Sequence, residues 1–264
     1  MYRVGTQQAV YGKTRGHAQA WAAATLQSRN PLLWLDASAD QSADGAAESP
    51  AMHVASAAQT NASKRPTLDG DGWSATGGPC YDFDGVDDDW QCGSAVNLSG
   101  MDAAAIVASC SFDPTTTTGI LWEYTASATG NNGVYAAFRR DGGQDHPFGV
   151  LGVNGGNYSG RYISGDYANE EGVLVASYDR AGGSQDAEID LRWQGSSDNT
   201  DQGSATVSGN FDAGADSWIG ARNNGSLYWK GKIRELLVYG GFDAFGADLL
   251  TAIERAAQHR AGKL

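Results

Sequence analysis

The stretch SWIGARNNGSLYWKGKIRELLVY, residues 217–239, decides the fold class. It opens with a short apolar segment around Trp218 and Ile219, passes through a turn rich in Asn and Gly, and continues in a second apolar run that ends at Tyr239. Asn and Gly adopt the backbone conformations that tight turns need, so a turn between two strands is expected here. Because a helical pattern begins shortly afterwards, the stretch predicts two buried strands followed by a helix.

Further strand-like runs with turn residues between them fill most of the chain before this stretch. These runs are CYDFDG, DWQCGS, AAAIVASCSF, GILWEY, GVYAAFRR, FGVLGVN, GRYISG, GVLVASYD, AEIDLRW and SATVSG. A spacing of roughly ten residues is typical of an all-β sandwich and not of alternating β and α units. The sequence therefore predicts an all-β fold, a two-sheet antiparallel β-sandwich.

The chain is expected to divide into an N-terminal arm, residues 1–30, and one sandwich domain, residues 31–264. A length of 264 residues is enough for a single large all-β domain. The arm has few turn signals and contains an alanine-rich segment, residues 18–26, that predicts about two helical turns. In the domain, LLWLDAS at residues 32–38 predicts the first buried strand, whereas the polar, small residues 40–79 predict a long loop.

The tail of the chain changes from strand to helix periodicity. Leu249, Leu250 and Ile253 recur at the spacing of one helix face. A short closing helix is therefore expected at about 243–262, with Asp243 as its N-cap.

The order of these segments resembles the laminin G-like jelly-roll domains of the concanavalin A-like lectin and glucanase superfamily. The resemblance rests on LLWLDAS, the loop segment 51–73, YDFDGVDD, GVLVASYD and the stretch quoted first, and it covers roughly residues 31–260. It implies a jelly roll of the kind frequent in bacteriophage structural proteins and bacterial surface proteins. Members include lectins, enzymes and architectural modules, so the resemblance implies a fold more than an activity.

Charge and composition exclude several classes of partner. The chain has 31 acidic and 18 basic residues, a net charge of −13, so it repels phosphate backbones and anionic headgroups. We expect no nucleic acid partner and no membrane association, since no run approaches the roughly 20 apolar residues of a transmembrane helix. Cys80, Cys92 and Cys110 lack CxxC spacing, which argues against a zinc site. Cys80 and Cys92 flank an expected hairpin, so the sequence is compatible either with a disulfide between them or with free thiols.

A catalytic role is not expected. AEIDLRW resembles the EIDxE strand of laminarinase-type glycoside hydrolases in the same superfamily, in which carboxylates alternate on one face. Glu188 and Asp190 match two of these positions, but Arg192 occupies the third and cannot exchange a proton near neutral pH. An ordinary strand with Ile189, Leu191 and Trp193 facing the core explains the alternation equally well. His17, His53, His146 and His259 are expected to be solvated or structural, in loops or the terminal segments.

Two clusters of aromatic and amide side chains are candidates for carbohydrate binding, because sugars stack on aromatic rings and are oriented by polar groups. They comprise Asn154, Asn157, Tyr158, Tyr162 and Tyr167 in the first cluster and Asn223, Asn224, Tyr228 and Trp229 in the second. Most other strand aromatics are expected in the core, notably Trp34, Trp90, Trp122, Trp193 and Trp218.

Calcium is the one cofactor that the sequence suggests. Asp84, Asp87, Asp88 and Asp89 place four carboxylates in one turn, and Ca²⁺ binds six to eight oxygens. The alternative is a solvated acidic loop.

The function expected from the resemblance is a non-catalytic structural or accessory protein of a virion, a capsid decoration or tail-associated protein. In this hypothesis residues 1–30 bind a capsid or tail protein, and the chain is located in the virion. The alternative is a carbohydrate-binding module of a bacterial or phage surface protein, extracellular or at the cell surface, that binds glycans. Assembly into a homo-oligomer is open in both cases.

Overall fold

A computed structural model gives the arrangement of the chain. The residues it describes are 30–39, 52–54, 57–93, 96–113, 118–126, 133–152, 158–184, 188–203, 207, 209–211, 215–223, 225–241 and 247–263. Almost the whole expected arm, residues 1–29, lies outside the described residues. The same holds for Asn154, Asn157, Asn224 and Asp243.

The described residues form two antiparallel sheets, which confirms the expected β-sandwich. The eight-stranded sheet has the order β12-β11-β6-β15-β1-β2, with β4 pairing β15 and β3 pairing β4. Its strands are β1 Leu33–Asp36, β2 Met52–Val54, β3 Thr67–Trp73, β4 Gly78–Asp84, β6 Ala103–Phe112, β11 Gly172–Asp179, β12 Ile189–Trp193 and β15 Lys230–Gly240.

The seven-stranded sheet has the order β13-β10-β9-β8-β7-β14-β5. Its strands are β5 Trp90–Gly93, β7 Thr118–Thr125, β8 Val134–Asp141, β9 Gln144–Gly152, β10 Tyr158–Ile163, β13 Asn199–Gly203 and β14 Asp216–Ile219. A single α-helix, α1, is described at Ala247–Arg260, inside the expected range 243–262.

The main core lies between the two sheets, because side chains alternate along each strand and every second one points inward. Its largest members are the fully buried Trp90, Trp122, Trp193 and Trp229. Strand β15 is central to the eight-stranded sheet, since it pairs with β6 on one side and with β4 and β1 on the other. The apolar run that ends at Tyr239 therefore lies in the middle of the eight-stranded sheet.

Helix α1 covers part of the outer face of the eight-stranded sheet. Together they enclose a second, smaller apolar cluster that includes Trp34, Trp73, Val107, Leu237, Tyr239, Ile253 and Ala257. The indole nitrogen of Trp73 donates to the carbonyl oxygen of Ala261 at 2.9 Å, just beyond the end of the helix. The closing helix is thus packed as a third layer on the sandwich.

The expectation of a long loop over residues 40–79 is wrong in part, because β2 lies in its first half and β3 in its second half. Strand β3, Thr67–Trp73, pairs with β4 and is fixed by the buried Leu68 and Trp73. Its sequence, TLDGDGW, is rich in Asp and Gly, which are depleted in strands, so composition hid it. Every strand-like run identified in the sequence contains a strand except SATVSG, which lies largely outside the described residues; strand β13 precedes it.

All three cysteines are free and buried. Cys80 lies in the cluster under the helix, whereas Cys92 lies in the main core, so the eight-stranded sheet separates them. The disulfide considered for Cys80 and Cys92 is therefore not formed.

Candidate binding face

The outer face of the seven-stranded sheet carries a group of aromatic and basic side chains. On β8, β9 and β10 the residues Phe138, Leu151 and Ile163 point into the core, so their alternating neighbours point outward. We call this surface the aromatic face, defined by Tyr135, Arg139, His146, Phe148, Tyr158, Tyr162 and Trp218. The three tyrosines, Arg139 and Trp218 are half-buried; burial raises the pKa of Tyr135, and the indole Nε1 of Trp218 is buried.

Cross-strand register aligns several of these residues in one row. Trp218 is opposite Glu123, Glu123 is opposite Tyr135, and Tyr135 is opposite Val150. The row continues through Gly160 on β10, which has Tyr158 and Tyr162 two residues away on either side. Because residues two apart in a strand share a face, the aromatic side chains lie on one face of the sheet, in a row that spans the five strands β14, β7, β8, β9 and β10.

Cation–aromatic contacts fix the centre of the aromatic face. The guanidinium of Arg222 lies 5.7 Å from the ring centre of Tyr135, and that of Arg139 lies 5.4 Å from the ring centre of Phe148. The rings of Tyr135 and Phe148 meet edge to face at 6.1 Å. Such contacts hold the long side chains in place beside the rings.

A buried carboxylate holds the turn after β14 against the sheet. Glu123 accepts hydrogen bonds from the backbone N–H of Asn223 at 2.8 Å and from Nε of Arg222 at 3.3 Å. The side-chain amide of Asn223 donates to the carbonyl oxygen of Thr125 at 2.9 Å. Burial raises the pKa of Glu123, while the Asn223 N–H and the Arg222 guanidinium lower it. Glu123 thus fixes Arg222 over Tyr135.

The residues predicted to bind a ligand do not all lie together in the structure. Tyr158 and Tyr162 lie on the aromatic face, and Asn223 borders it as a structural hydrogen-bonding residue. Tyr167 instead packs against the main core, with its ring 6.0 Å from that of Trp193. Tyr228 is half-buried in the turn that follows Asn223.

The prediction for Trp229 as a ligand residue is wrong. Its side chain is fully buried and packs against Phe112 and Phe138, because the residue before β15 already points into the core. The opposite error concerns Trp218, which was expected in the core but lies half-buried on the aromatic face.

Sequence reasoning also missed Tyr135, Arg139 and His146. The alternation in GVYAAFRR places Tyr135 and Arg139 on one side of β8, opposite Phe138. That signal was present, but it did not say which side faces solvent. His146 was expected in a loop or terminal segment; it lies in β9 and is 4% exposed.

Three of the four acidic candidates for calcium come together. Oxygens of Asp84, Asp87 and Asp88 lie within 4.8 Å of one another, whereas Asp89 accepts a hydrogen bond from Gln59 instead. Asp84 and Asp88 accept backbone hydrogen bonds within the turn, and burial raises the pKa of Asp88 to about 6. With one oxygen each, three carboxylates supply half or less of the six to eight ligands that calcium takes. Calcium binding stays a prediction, which a rise in melting temperature on adding the ion would test.

Strand β12, whose sequence resembles a glycosidase motif, packs against the main core on one side and contacts α1 on the other. Ile189, Leu191 and Trp193 are buried in the main core. On the other side, Arg192 pairs with Asp190 at 3.1 Å and donates to Thr251 of α1 at 3.1 Å. Glu188 lies just before the strand and is completely buried, with one oxygen accepting from the N–H of Val207. These acidic groups therefore do not share an accessible face.

A separate pocket of about 460 Å³ lies on the part of the eight-stranded sheet that α1 leaves uncovered. Its charged lining includes Asp82, Asp113, Glu171, Lys230 and Lys232. Lys230 pairs with Asp113 at 2.9 Å, and Lys232 donates to the carbonyl oxygen of Gly72 at 2.6 Å. Both ammonium groups of this pocket thus already interact with other groups of the protein.

No helix in the described part of the chain is long and apolar enough to cross a membrane. No protein-family model and no curated protein matches the sequence.

Solved structures resemble the chain in fold. Trypanosoma rangeli sialidase in complex with sialic acid matches with a TM-score of 0.56 and 11% identity, over 98% of this chain and 40% of that chain. The CBM40 domain of Ruminococcus gnavus IT-sialidase bound to α2,3-sialyllactose has a TM-score of 0.47 and 14% identity, over 61% of this chain and 86% of that one. A SAP-like pentraxin from Limulus polyphemus has a TM-score of 0.43 and 11% identity, over 61% and 70%. At these identities the likeness to the sialidase shows a shared β-sandwich fold and nothing further.

Proposed function

We propose that this chain is a carbohydrate-binding module and that glycans bind to the aromatic face. The observation that carries the proposal is the group of half-buried rings on that face, with Tyr135, Tyr162 and Trp218 on three different strands. Aromatic rings bind the apolar faces of sugars, and nearby polar groups orient the hydroxyls. Arg139 and Arg222 are the nearby polar groups, each held by an aromatic ring and by an ion pair with Asp141 or Glu123.

The choice of this face follows from the layers of the fold. Among the described residues, α1 packs on the eight-stranded sheet, whereas no described helix packs on the aromatic face. The pocket beside α1 has mainly charged walls, and Phe83, the one aromatic residue that lines it, is buried in the main core. The aromatic face is therefore the better surface for a neutral, polyhydroxylated ligand.

Binding without catalysis is part of the proposal. Its support is that Asp190 is paired with Arg192, while Glu188 lies away from solvent. A retaining glycosidase needs two carboxyl groups about 5 Å apart beside the substrate. Incubating the protein with each glycan that it binds, and finding released sugar, would contradict this part.

The virion hypothesis stays a prediction. Residues 1–29, which would bind a capsid or tail protein, lie outside the described residues. A module that binds glycans acts where glycans are accessible, so the proposal includes a location outside the cell or at a surface.

A glycan array followed by titration calorimetry tests the proposal. We expect at least one glycan to bind, with affinity reduced about tenfold or more in Tyr162→Ala, a loss of about 1.4 kcal/mol. Val86→Ala is the control, since Val86 is an exposed apolar residue in the turn after β4, away from the aromatic face. An array without binding, or equal affinities for Tyr162→Ala and wild type, would overturn the proposal.

A further inference from the structure

His146 is the one titratable imidazole placed on the aromatic face. It is 4% exposed, and its ring stacks on that of Tyr162 with centres 4.5 Å apart and planes inclined by 28°. Its Nε2 atom is buried and makes no hydrogen bond. A buried polar atom without a partner is costly, and such atoms in native proteins call for an explanation.

Charged groups of two neighbouring segments face this imidazole. Arg139 lies directly opposite His146 in the register of β8 and β9, and Asp141 lies two residues further along β8. Asp166, in the segment after β10, also acts on the imidazole, whereas Arg140 pairs with Asp145 at 3.8 Å. Burial lowers the pKa of His146; Asp141 and Asp166 oppose this effect, and Arg139 adds to it.

We propose that glycan binding to the aromatic face depends on pH, with the neutral form of His146 competent to bind. This inference rests on the proposed function, because it concerns the same face. A neutral imidazole stacks flat on Tyr162 and so fixes the ring that a sugar contacts. The imidazolium ion places a second cation opposite Arg139, in a position that water hardly reaches.

Protonation of His146 also affects Tyr162, because the two rings are stacked. A charged imidazole must donate hydrogen bonds from both ring nitrogens, and Nε2 has no partner in its buried position, so the ring gains one only by shifting off Tyr162. The tyrosine ring then leaves the position it holds at neutral pH. A bound glycan covers the imidazole further, so binding favours the neutral form and opposes proton uptake.

This linkage fixes the direction in which the affinity changes with pH. Free protein takes up a proton as the pH falls through the lowered pKa of His146, and ligand binding must then release it. Affinity therefore stays constant above that pKa and falls below it, by at most about tenfold per pH unit for one proton. Other histidines contribute only if they too change protonation on binding.

Titration calorimetry from pH 8 to pH 5, with the best glycan from the array, compares wild type with His146→Phe. Phenylalanine keeps a flat ring against Tyr162 but does not titrate. We expect wild-type affinity to fall several-fold toward the acid end of this range, while the affinity of His146→Phe changes less than twofold. Circular dichroism at pH 5 checks that both proteins stay folded.

The outcomes separate the two proposals. A glycan that binds at pH 8 with the same pH dependence in both proteins overturns this inference and leaves the proposed function standing. Binding by wild type that does not change with pH has the same meaning. If no glycan binds at pH 8, the proposed function fails and this inference fails with it.

Discussion

Nε of Arg260, in the last turn of α1, lies 2.7 Å from Oε1 of Glu235 in the middle of β15. The same guanidinium lies 2.6 Å from Oδ2 of Asp36, and Trp34 donates to Glu235 at 2.9 Å. Both carboxylates are almost fully buried, and burial raises the pKa of Glu235 while Arg260 lowers it. The helix thus supplies the cation that neutralises two acidic groups on the sheet.

Replacing this cation should destabilise the fold strongly. Arg260→Met keeps the length of the side chain but removes the cation between Asp36 and Glu235, which costs about 3–5 kcal/mol for a buried pair. We expect the free energy of unfolding in urea to fall by that amount at pH 7. Arg255→Met on the exposed side of the same helix is the control and should change stability by less than about 0.5 kcal/mol. Equal effects of the two substitutions would show that the ion pairs do not hold the helix.

The sandwich itself could be predicted from sequence, because alternation with period two and frequent turns are local signals. AAAIVASCSF and GVLVASYD became neighbouring strands in the middle of a sheet, as their continuous apolar character indicates. The closing helix was also predicted, since its apolar face repeats at helical spacing. The part of the sheet that the helix covers was not predicted, because the pairing of Arg260 with Glu235 and Asp36 joins segments far apart in the chain.

The candidate site could be predicted only in part, for a physical reason. Alternation separates the two sides of a strand but does not say which side faces the other sheet. Tyr162 lies on the aromatic face, where its role in binding stays a prediction, whereas Trp218 and Trp229 were exchanged: the half-buried one was expected in the core and the buried one in a binding cluster. Only the pairing of β14 with β5 and β7 decides that Trp218 points outward.

This exchange gives a test of the two faces. Trp229→Ala removes a fully buried indole that contacts Phe112 and Phe138, so a cavity forms in the main core. We expect a loss of about 3–5 kcal/mol in the free energy of unfolding. Trp218→Ala removes a half-buried ring from the aromatic face and should cost about 1 kcal/mol or less while weakening glycan binding.

Chemical denaturation of both variants and of wild type measures the difference. If Trp218→Ala were the more damaging substitution, the assignment of inner and outer faces of the seven-stranded sheet would be wrong. Trp229→Phe is an additional control. It retains an aromatic ring, so its loss of stability should be smaller than that of Trp229→Ala.

The cysteines give the last prediction. Burial raises the pKa of Cys80 and of Cys92 to about 12, and Cys110 is also fully buried. The thiolate is the reactive species, so at pH 8 each native thiol is both almost entirely protonated and inaccessible to reagents. We expect a thiol-specific reagent such as DTNB to label none of the three in the native protein within minutes and all three in denaturant. Val86→Cys, at an exposed position, should gain one rapidly labelled thiol. Only one labelled thiol in unfolded wild type would instead reveal a disulfide, and the separation of Cys80 from Cys92 by the sheet would then be incorrect.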